Sequence, residues 1–214
     1  MMNKEIAYDH ANPVILSYLL SHVSHGDSIL DVGCWSGKLG ATLLTHKKCI
    51  IDGIEKENNK GKLAIQRGYQ RVLLKDINAL TDSDIKRKYD WIVLGDVLEH
   101  VIDPDTCIQI LKNKLKYNGC MAVSLPNIGF LWYRLLHLMG RWQYEDAGIM
   151  DRTHLRFFTH SSMREFFESN GLDVIFYQSL NAVQKKLFFL EYLGRFFPGL
   201  FALQCVFVVK PKNI

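Results

Sequence analysis

The sequence predicts an α/β fold, with a mostly parallel sheet of seven strands and helices on both faces. Three observations carry that reading. Residues 28–40, SILDVGCWSGKLG, pass from a short apolar run through a glycine-bearing turn into a helical pattern. Glu55 closes a second apolar run, 22 residues after Gly33. Short apolar runs then alternate with helical patterns as far as residue 125, as in a parallel sheet whose crossovers are helices.

Taken in order, residues 13–23 carry Val14, Ile15, Leu19 and Leu20 at helical spacing, with Asn12 before Pro13 as a start signal. In the first strand Ile29, Leu30 and Val32 suit burial on both faces. Asp31 sits near its carboxyl end, Gly33 and Gly37 bracket the turn, and residues 38–46 continue as a helix. Glycines let the backbone approach a ligand, and the helix start offers unpaired N–H groups, so the turn reads as a ligand pocket or as an ordinary βα connection. Its G-x-W-x-G spacing departs from the G-x-G-x-x-G of dinucleotide sites.

Residues 49–55, CIIDGIE, form the second strand. The two acceptor oxygens of Glu55 can take both hydroxyls of a ribose; alternatively, Glu55 begins the charged loop EKENNK. A helix over residues 58–67 stops at Gly68, and a third strand over 71–74 ends at Lys75-Asp76-Ile77. Residues 89–94 are the fourth strand, followed by GDVLEHVIDP and a helix over 104–116 capped by Asp103. Residues 95–100 therefore lie beyond the carboxyl ends of the strands, where open α/β sheets place ligands. Asn118-Gly119 turns the chain into a fifth strand over 120–125.

Residues 128–160 break the alternation. GFLWYRLLHLMGRW is apolar nearly all round and suits a buried helix, a lid, a dimer face or a membrane-facing patch. The following QYEDAGIMDRTHLRFFT is polar and aromatic, as expected of a segment that recognises a substrate. A helix over 161–169 opens on Ser161-Ser162 with Glu165 as a capping box, and strands over 172–177 and 201–209 flank a second apolar stretch within residues 183–199.

The 214 residues fit a single domain spanning 1–214, with 128–160 and 183–199 as insertions. Hydrophobic residues make up 48% and charged residues 22%, a globular balance. The formal charge of +4 is too mild for a dedicated nucleic-acid binder, so no nucleic-acid partner is expected. Five scattered cysteines without C-x-x-C spacing argue against a disulfide framework and a zinc site, and for a reduced, cytoplasmic protein. The N-terminal residues show no apolar signal region, and no apolar run reaches the ~20 residues of a spanning helix.

DVGCWSG resembles motif I of the class I S-adenosylmethionine-dependent methyltransferases, D/E-x-G-x-G-x-G, with Trp35 in place of the middle glycine. DVLEHV resembles the segment after the fourth strand in small-molecule methyltransferases that include the ubiquinone-pathway enzymes, and GRWQYEDAGIMDRTHLRFF resembles bacterial methyltransferases of glycan and surface-polysaccharide synthesis. The resemblance covers almost the whole chain. It implies a Rossmann-like sheet with an antiparallel edge pair, a lid after the fifth strand, and S-adenosylmethionine as cofactor. It places that cofactor against Asp31, Gly33, Cys34, Trp35, Gly37, Glu55, Asp76, Ile77 and Asp96, with Asp76 accepting from the adenine amino group.

The implied reaction moves a methyl group to a small-molecule, saccharide or lipid-linked acceptor, at oxygen. An alcohol nucleophile gains from a base near neutral pKa, and His100 and His154 are the candidates. If residues 151–158, DRTHLRFF, are extended, Arg152, His154 and Arg156 share one face, suited to a phosphate or carboxylate on the acceptor; otherwise the arginines pair with Glu145, Asp146 or Asp151 and His154 caps a turn. Trp142 and Tyr144 complete the substrate-binding set. No metal is expected, because the tight acidic-histidine group Glu99-His100 offers too few ligands for a closed site.

Rival readings are a quinone or other lipid O-methyltransferase, a cofactor-binding module without catalysis that acts in a complex, and an NAD-dependent enzyme. The apolar stretches, with Phe188, Phe189, Tyr192, Phe196 and Phe197 near Lys185, Lys186 and Arg195, suit peripheral contact with the inner face of the membrane, a homodimer face, or packing on the protein's own sheet.

Overall fold

The computed structural model describes residues 11–180 and 196–212. Most of the apolar 183–199 stretch, including Lys185, Lys186, Phe188, Phe189, Tyr192 and Arg195, lies outside the described residues. Helix α1 (Pro13–His22) starts where Asn12 accepts hydrogen bonds from Val14 N and Ile15 N, with proline at the first helical turn. It leads into β1 (Ser28–Val32), α2 (Lys38–Leu44), β2 (Ile50–Glu55), α3 (Asn58–Gln66), β3 (Arg71–Leu74), β4 (Tyr89–Gly95), α4 (Pro104–Asn113) and β5 (Leu115–Pro126). Helices α5 (Leu131–Leu138) and α6 (His160–Ser169), strand β6 (Leu172–Leu180), the single turn α7 (Pro198–Phe201) and β7 (Gln204–Pro211) follow.

The seven strands form one sheet in the order β3-β2-β1-β4-β5-β7-β6. Strands β1 to β5 are mutually parallel, and β7 runs antiparallel to both β5 and β6. The predicted antiparallel pair is present, but β7 fills the slot between β5 and β6, so β6 alone is the edge on that side. The chain winds outward from β1 to β3 and then returns to place β4 on the other flank of β1. This reversal opens a crevice at the carboxyl ends of β1 and β4, the position where such sheets bind ligands.

Alternation along the strands divides the core between the two faces. Ile29, Ile51, Trp91 and Val93 pack with Ile15 and Leu19 of α1 and with Leu39 and Leu43 of α2. Leu30, Val32, Ile92 and Leu94 pack on the opposite face with Ile108 and Leu111 of α4 and with Met163 and Phe167 of α6. All five residues of β1 are buried, as its continuous apolar run requires.

Three local expectations change. The fifth strand begins at Leu115, so Asn118-Gly119 lies inside it and not in a turn, and α4 ends correspondingly early. The strand absorbs the extra residues in a register shift opposite Tyr89–Trp91, where a side chain at Gly119 would meet Tyr89 O at 2.9 Å. The capping box of α6 is formed by Thr159 and Ser162 in place of Ser161, Ser162 and Glu165, because the first helical residue is His160. Finally, no residue of α5 is buried. The all-round apolar pattern of that segment therefore does not mark a buried helix: Trp132, Leu135 and Leu138 stand exposed.

Candidate active site

The crevice holds a cavity of about 220 Å³ lined by residues that include Asp31, Gly33, Cys34, Trp35 and Asp96. Its floor is the turn after β1. Gly33 N and Cys34 N donate to Ile54 O, holding the turn against the end of β2. Gly37 has φ +77°, and a Cβ there would stand 2.8 Å from Ala64 Cα, so glycine is required both by backbone conformation and by the approach of α3. Among the described residues, the only non-glycine positions with positive φ are Trp35 (+49°) and Asp96 (+56°). Both line the cavity, and backbone strain of this kind concentrates where a ligand is held.

Asp31 is buried. Tyr69 donates its hydroxyl hydrogen to Asp31 Oδ2 at 2.5 Å and accepts from Gly40 N at 3.1 Å. Burial raises the Asp31 carboxyl to about 7, with the Tyr69 hydrogen bond opposing and the Glu55 carboxylate adding to the rise. Glu55, at the end of β2, accepts from Trp35 N on Oε2 and from Glu57 N on Oε1, both at 2.9 Å. Each oxygen keeps a second acceptor direction. The ring of Trp35 takes Lys60 Nζ over its face at 4.4 Å from the centroid.

Across the crevice, Asp96 follows β4. Its Oδ1 accepts from Ser124 Oγ at 2.9 Å and from Gln204 Nε2, and Gln204 Oε1 in turn accepts from Asn12 Nδ2 at 3.2 Å. Burial raises the Asp96 carboxyl, while Ser124 and Gln204 oppose the rise. This chain links the cap of α1, the start of β7 and the end of β5 to one carboxylate. Asn12 and Gln204 both line the cavity, and neither was singled out from the sequence as a site residue. Gly37, Glu55, Asp76 and Ile77 do not line it. Asp76 is exposed and caps the short turn Ile77–Ala79 by accepting from Asn78 N, and Ile77 packs on the core.

The acceptor side is assembled differently. Residues 151–158 are not extended: His154 N donates to Asp151 O in a turn, His154 is buried, and Arg152 and Arg156 are exposed. The predicted face of two guanidinium groups around an imidazole is therefore absent. Arg152 Nε lies 3.3 Å from Asp146 Oδ1 between two exposed side chains, and Arg156 donates to Ile102 O. Of the second arrangement expected from the sequence, the Arg152–Asp146 pair and the turn at His154 are present, whereas Arg156 engages the Ile102 carbonyl in place of Glu145, Asp146 or Asp151. Trp142 and Tyr144 are brought to Phe157, with ring centroids 5.4 and 6.4 Å away, and Phe157 stands 6.4 Å from His154.

His100 and His154 meet at a centroid distance of 4.9 Å. The short helical turn Leu98–His100 places the first. The second is held there because Leu155 N and Arg156 N donate to Glu99 O at 2.7 and 3.0 Å. Burial is the main cause lowering the His154 pKa, with the His100 ring adding to it and the Ile149 carbonyl and Asp151 opposing. Glu99 is 1% exposed, and burial drives its carboxyl well above the usual carboxylate range, Asp96 adding to the rise. Sequence spacing joins Glu99 to His100 alone, too few ligands for a closed site, hence the expectation of no metal. The fold adds His154, and one donor atom from each of the three lies within 4.8 Å of the others.

Residues 15–209 match the family described as "Methionine biosynthesis protein MetW". The chain belongs to the MetW family. Its sheet order and crevice are those of the class I S-adenosylmethionine-dependent methyltransferases, to which this MetW-family chain is related in sequence as well. The ubiquinone biosynthesis O-methyltransferase of Coxiella burnetii is 29% identical over 172 residues, covering 77% of this chain and 71% of that protein. The mitochondrial ubiquinone biosynthesis O-methyltransferase of Bos taurus is 33% identical over 159 residues, or 70% of this chain and 42% of that one. Among solved structures, an S-adenosylmethionine-dependent methyltransferase from Clostridium acetobutylicum superposes with a TM-score of 0.67 at 17% identity, covering 98% of this chain and 96% of that one. Magnesium protoporphyrin IX methyltransferase from Synechocystis, solved with bound SAH, gives a TM-score of 0.66 at 15% identity, covering 98% of this chain and 92% of that one.

Proposed function

We propose that this S-adenosylmethionine-dependent methyltransferase transfers the sulfonium methyl to an oxygen of a small-molecule, saccharide or lipid-linked acceptor. The observation that carries the reading is the pairing of a strained, carboxylate-lined crevice with two histidines beside it. The crevice side offers Asp31, the turn backbone and Asp96 to the cofactor; Glu55 at the end of β2 and Asp76 beyond β3, both outside the cavity lining, are assigned to the ribose and the adenine. The histidine side offers an imidazole whose pKa is lowered by burial, so that at neutral pH His154 is available to take a proton from a hydroxyl. Methyl transfer from a positive sulfur needs little beyond alignment and a competent nucleophile, which two adjoining subsites supply.

Support for oxygen as the methylated atom comes from the histidine pair and from the ubiquinone-pathway O-methyltransferases to which the chain is similar. Trp142, Tyr144 and Phe157 supply an aromatic surface beside His154 for the acceptor. The exposed apolar face of α5, with Trp132, Leu135 and Leu138, favours a lipid-linked acceptor or a partner surface. No helix among the described residues is long and apolar enough to cross a membrane.

The test is transfer of isotopically labelled methyl from S-adenosylmethionine into fractionated cell extract, followed by identification of the labelled product. A methyl ether or ester is expected. Label recovered on nitrogen, carbon or sulfur would move the reading away from oxygen. Tight binding of S-adenosylhomocysteine with no labelled product in any fraction would favour a non-catalytic binding module.

A further inference from the structure

Two histidines and a carboxylate converge where the lid meets the turn after β4. We propose that Glu99, His100 and His154 form a binding site for one divalent first-row transition-metal ion, of the zinc, iron or manganese class. Three independent observations support it.

The first is the convergence itself: one donor atom from each residue lies within 4.8 Å of the others. Three ligands around such an ion, each at ~2.0–2.2 Å, stand roughly 3.3 Å apart. Binding would draw the three side chains together by the remainder.

The second is the unmet valence of Glu99. Its Oε2 is buried and has no hydrogen-bond partner, in a residue that is 1% exposed. Buried carboxylate oxygens without a partner are costly, and such an orphan calls for an explanation. A cation held jointly with two imidazoles supplies one.

The third is the orientation of the two rings. His100 Nδ1 lies 3.1 Å from Thr153 O, and His154 Nδ1 lies 2.9 Å from Ile149 O. A carbonyl only accepts, so in each neutral ring the proton sits on Nδ1 and the lone pair on Nε2. This arrangement, one ring nitrogen donating to a backbone carbonyl and the other left as ligand, is the usual support for metal-binding histidine. Two neighbouring rings are set the same way.

Two nitrogens and one oxygen favour a transition metal over magnesium or calcium, which prefer oxygen-rich shells. Three protein ligands also leave a coordination position open, as in catalytic metal sites. Asp96 lines the cavity and the turn Leu98–His100 follows it directly, so the ion would sit beside the cofactor crevice. Resting on the methyl-transfer reading above, with the ion bound the His154 lone pair would serve as ligand and not as base, and the open position would take the acceptor's hydroxyl oxygen, whose proton passes to water. Because His154 comes from the insertion and Glu99 from the helical turn after β4, the ion would also join the two.

The experiment is titration of metal-stripped, untagged full-length protein with Co²⁺, followed by d–d absorption, and with Zn²⁺ by calorimetry, with Mg²⁺ as control. One ion per chain is expected, with Zn²⁺ displacing Co²⁺ and millimolar Mg²⁺ failing to do so. Glu99→Gln, nearly isosteric, and His154→Gln should each weaken binding by more than about 100-fold, beyond the loss expected from removing a supporting hydrogen bond. Circular dichroism and thermal melting establish that each variant is folded, and His100→Gln, on the less buried ring, supplies a third variant. Absence of stoichiometric binding by the wild-type protein would overturn the proposal. So would competition by Mg²⁺ at equal concentration, or unchanged affinity in the folded variants. Binding of S-adenosylhomocysteine is measured separately, so stoichiometric Co²⁺ binding without cofactor binding supports the ion site while removing the methyl-transfer reading.

Discussion

The cofactor crevice and the 128–160 insertion stand side by side and are built by opposite means. In the crevice, position is set by the sheet. Asp31 and Asp96 extend from adjacent parallel strands, Trp35 and Asp96 are held at positive φ, and the carboxylates are tied by Tyr69, Ser124 and Gln204. In the insertion no residue of α5 is buried, whereas residues 149–158 bury Ile149, Met150, Asp151, His154 and Phe158 and are tied to Glu99 O, Ile102 O and Ile128 N. The first region is set by paired strands, the second by burial and backbone contacts at one end, with α5 left on the surface. A shared cofactor suits a rigid site, and the choice of acceptor suits the part that can change without disturbing the sheet.

The largest effect is expected where the two regions meet. His154→Gln is expected to lower turnover ~10²–10⁴-fold while leaving affinity for S-adenosylhomocysteine within about twofold, because the imidazole belongs to the acceptor side alone. Steady-state kinetics paired with calorimetry check this, and a parallel loss of cofactor affinity would mean that the two regions form one unit.

In the crevice, stability depends on pH through Asp31. The Asp31 carboxyl stands at about 7 in the folded protein against 3.8 ordinarily, so its contribution to stability is fully present below about pH 4 and lost as pH rises through about 7. That difference corresponds to ~4 kcal/mol as an upper bound. Urea unfolding of the unliganded protein between pH 5 and 8 should show stability falling over this range, with the slope largely absent in Asp31→Asn. An unchanged slope in the variant would assign the effect to other groups.

Glu55→Ala should weaken S-adenosylhomocysteine binding roughly tenfold to hundredfold, the worth of a charge-assisted hydrogen bond at ~1.5–3 kcal/mol. Because Glu55 also accepts from Trp35 N and Glu57 N, Glu55→Gln separates the roles: it keeps a carbonyl acceptor for the turn while removing the charge. Unchanged affinity in both variants would remove Glu55 from the site.

The smallest effect belongs to the insertion's surface. Leu138, 84% exposed, can become serine with a stability change within ~0.5 kcal/mol, since a side chain with little burial has little to lose. A drop of several degrees in Tm would show that the face of α5 is covered in solution.

Much of the crevice was legible in the chain. The apolar run ending in Asp31, the glycines that the turn requires and the carboxylate closing β2 are local features, and their consequences follow from strand and helix geometry. What escaped were partners distant in sequence: Tyr69 for Asp31, and Gln204 with Asn12 for Asp96, the last spanning 192 residues between Asn12 and Gln204. Glutamine and asparagine carry no spacing signal, and only β7 slotting between β5 and β6 brings Gln204 to the carboxylate.

In residues 151–158 the period-two pattern of arginine and histidine was real in the sequence but did not become a strand. The segment pairs at its ends alone, Asp151 bridging Glu145 and Phe158 bridging Asn127 just beyond β5, and between them the turn at Asp151–His154, with Glu99 O accepting two N–H groups, satisfies its backbone instead. The sequence by itself determined the sheet, its crevice and the carboxylates that end β1 and β2, because apolar period and turn chemistry act between near neighbours. Only the tertiary structure decided that His154 meets Glu99 and His100, that α5 lies on the surface and that Asp96 is tied to β7. Those contacts depend on which distant backbone groups remain unpaired once the sheet has closed.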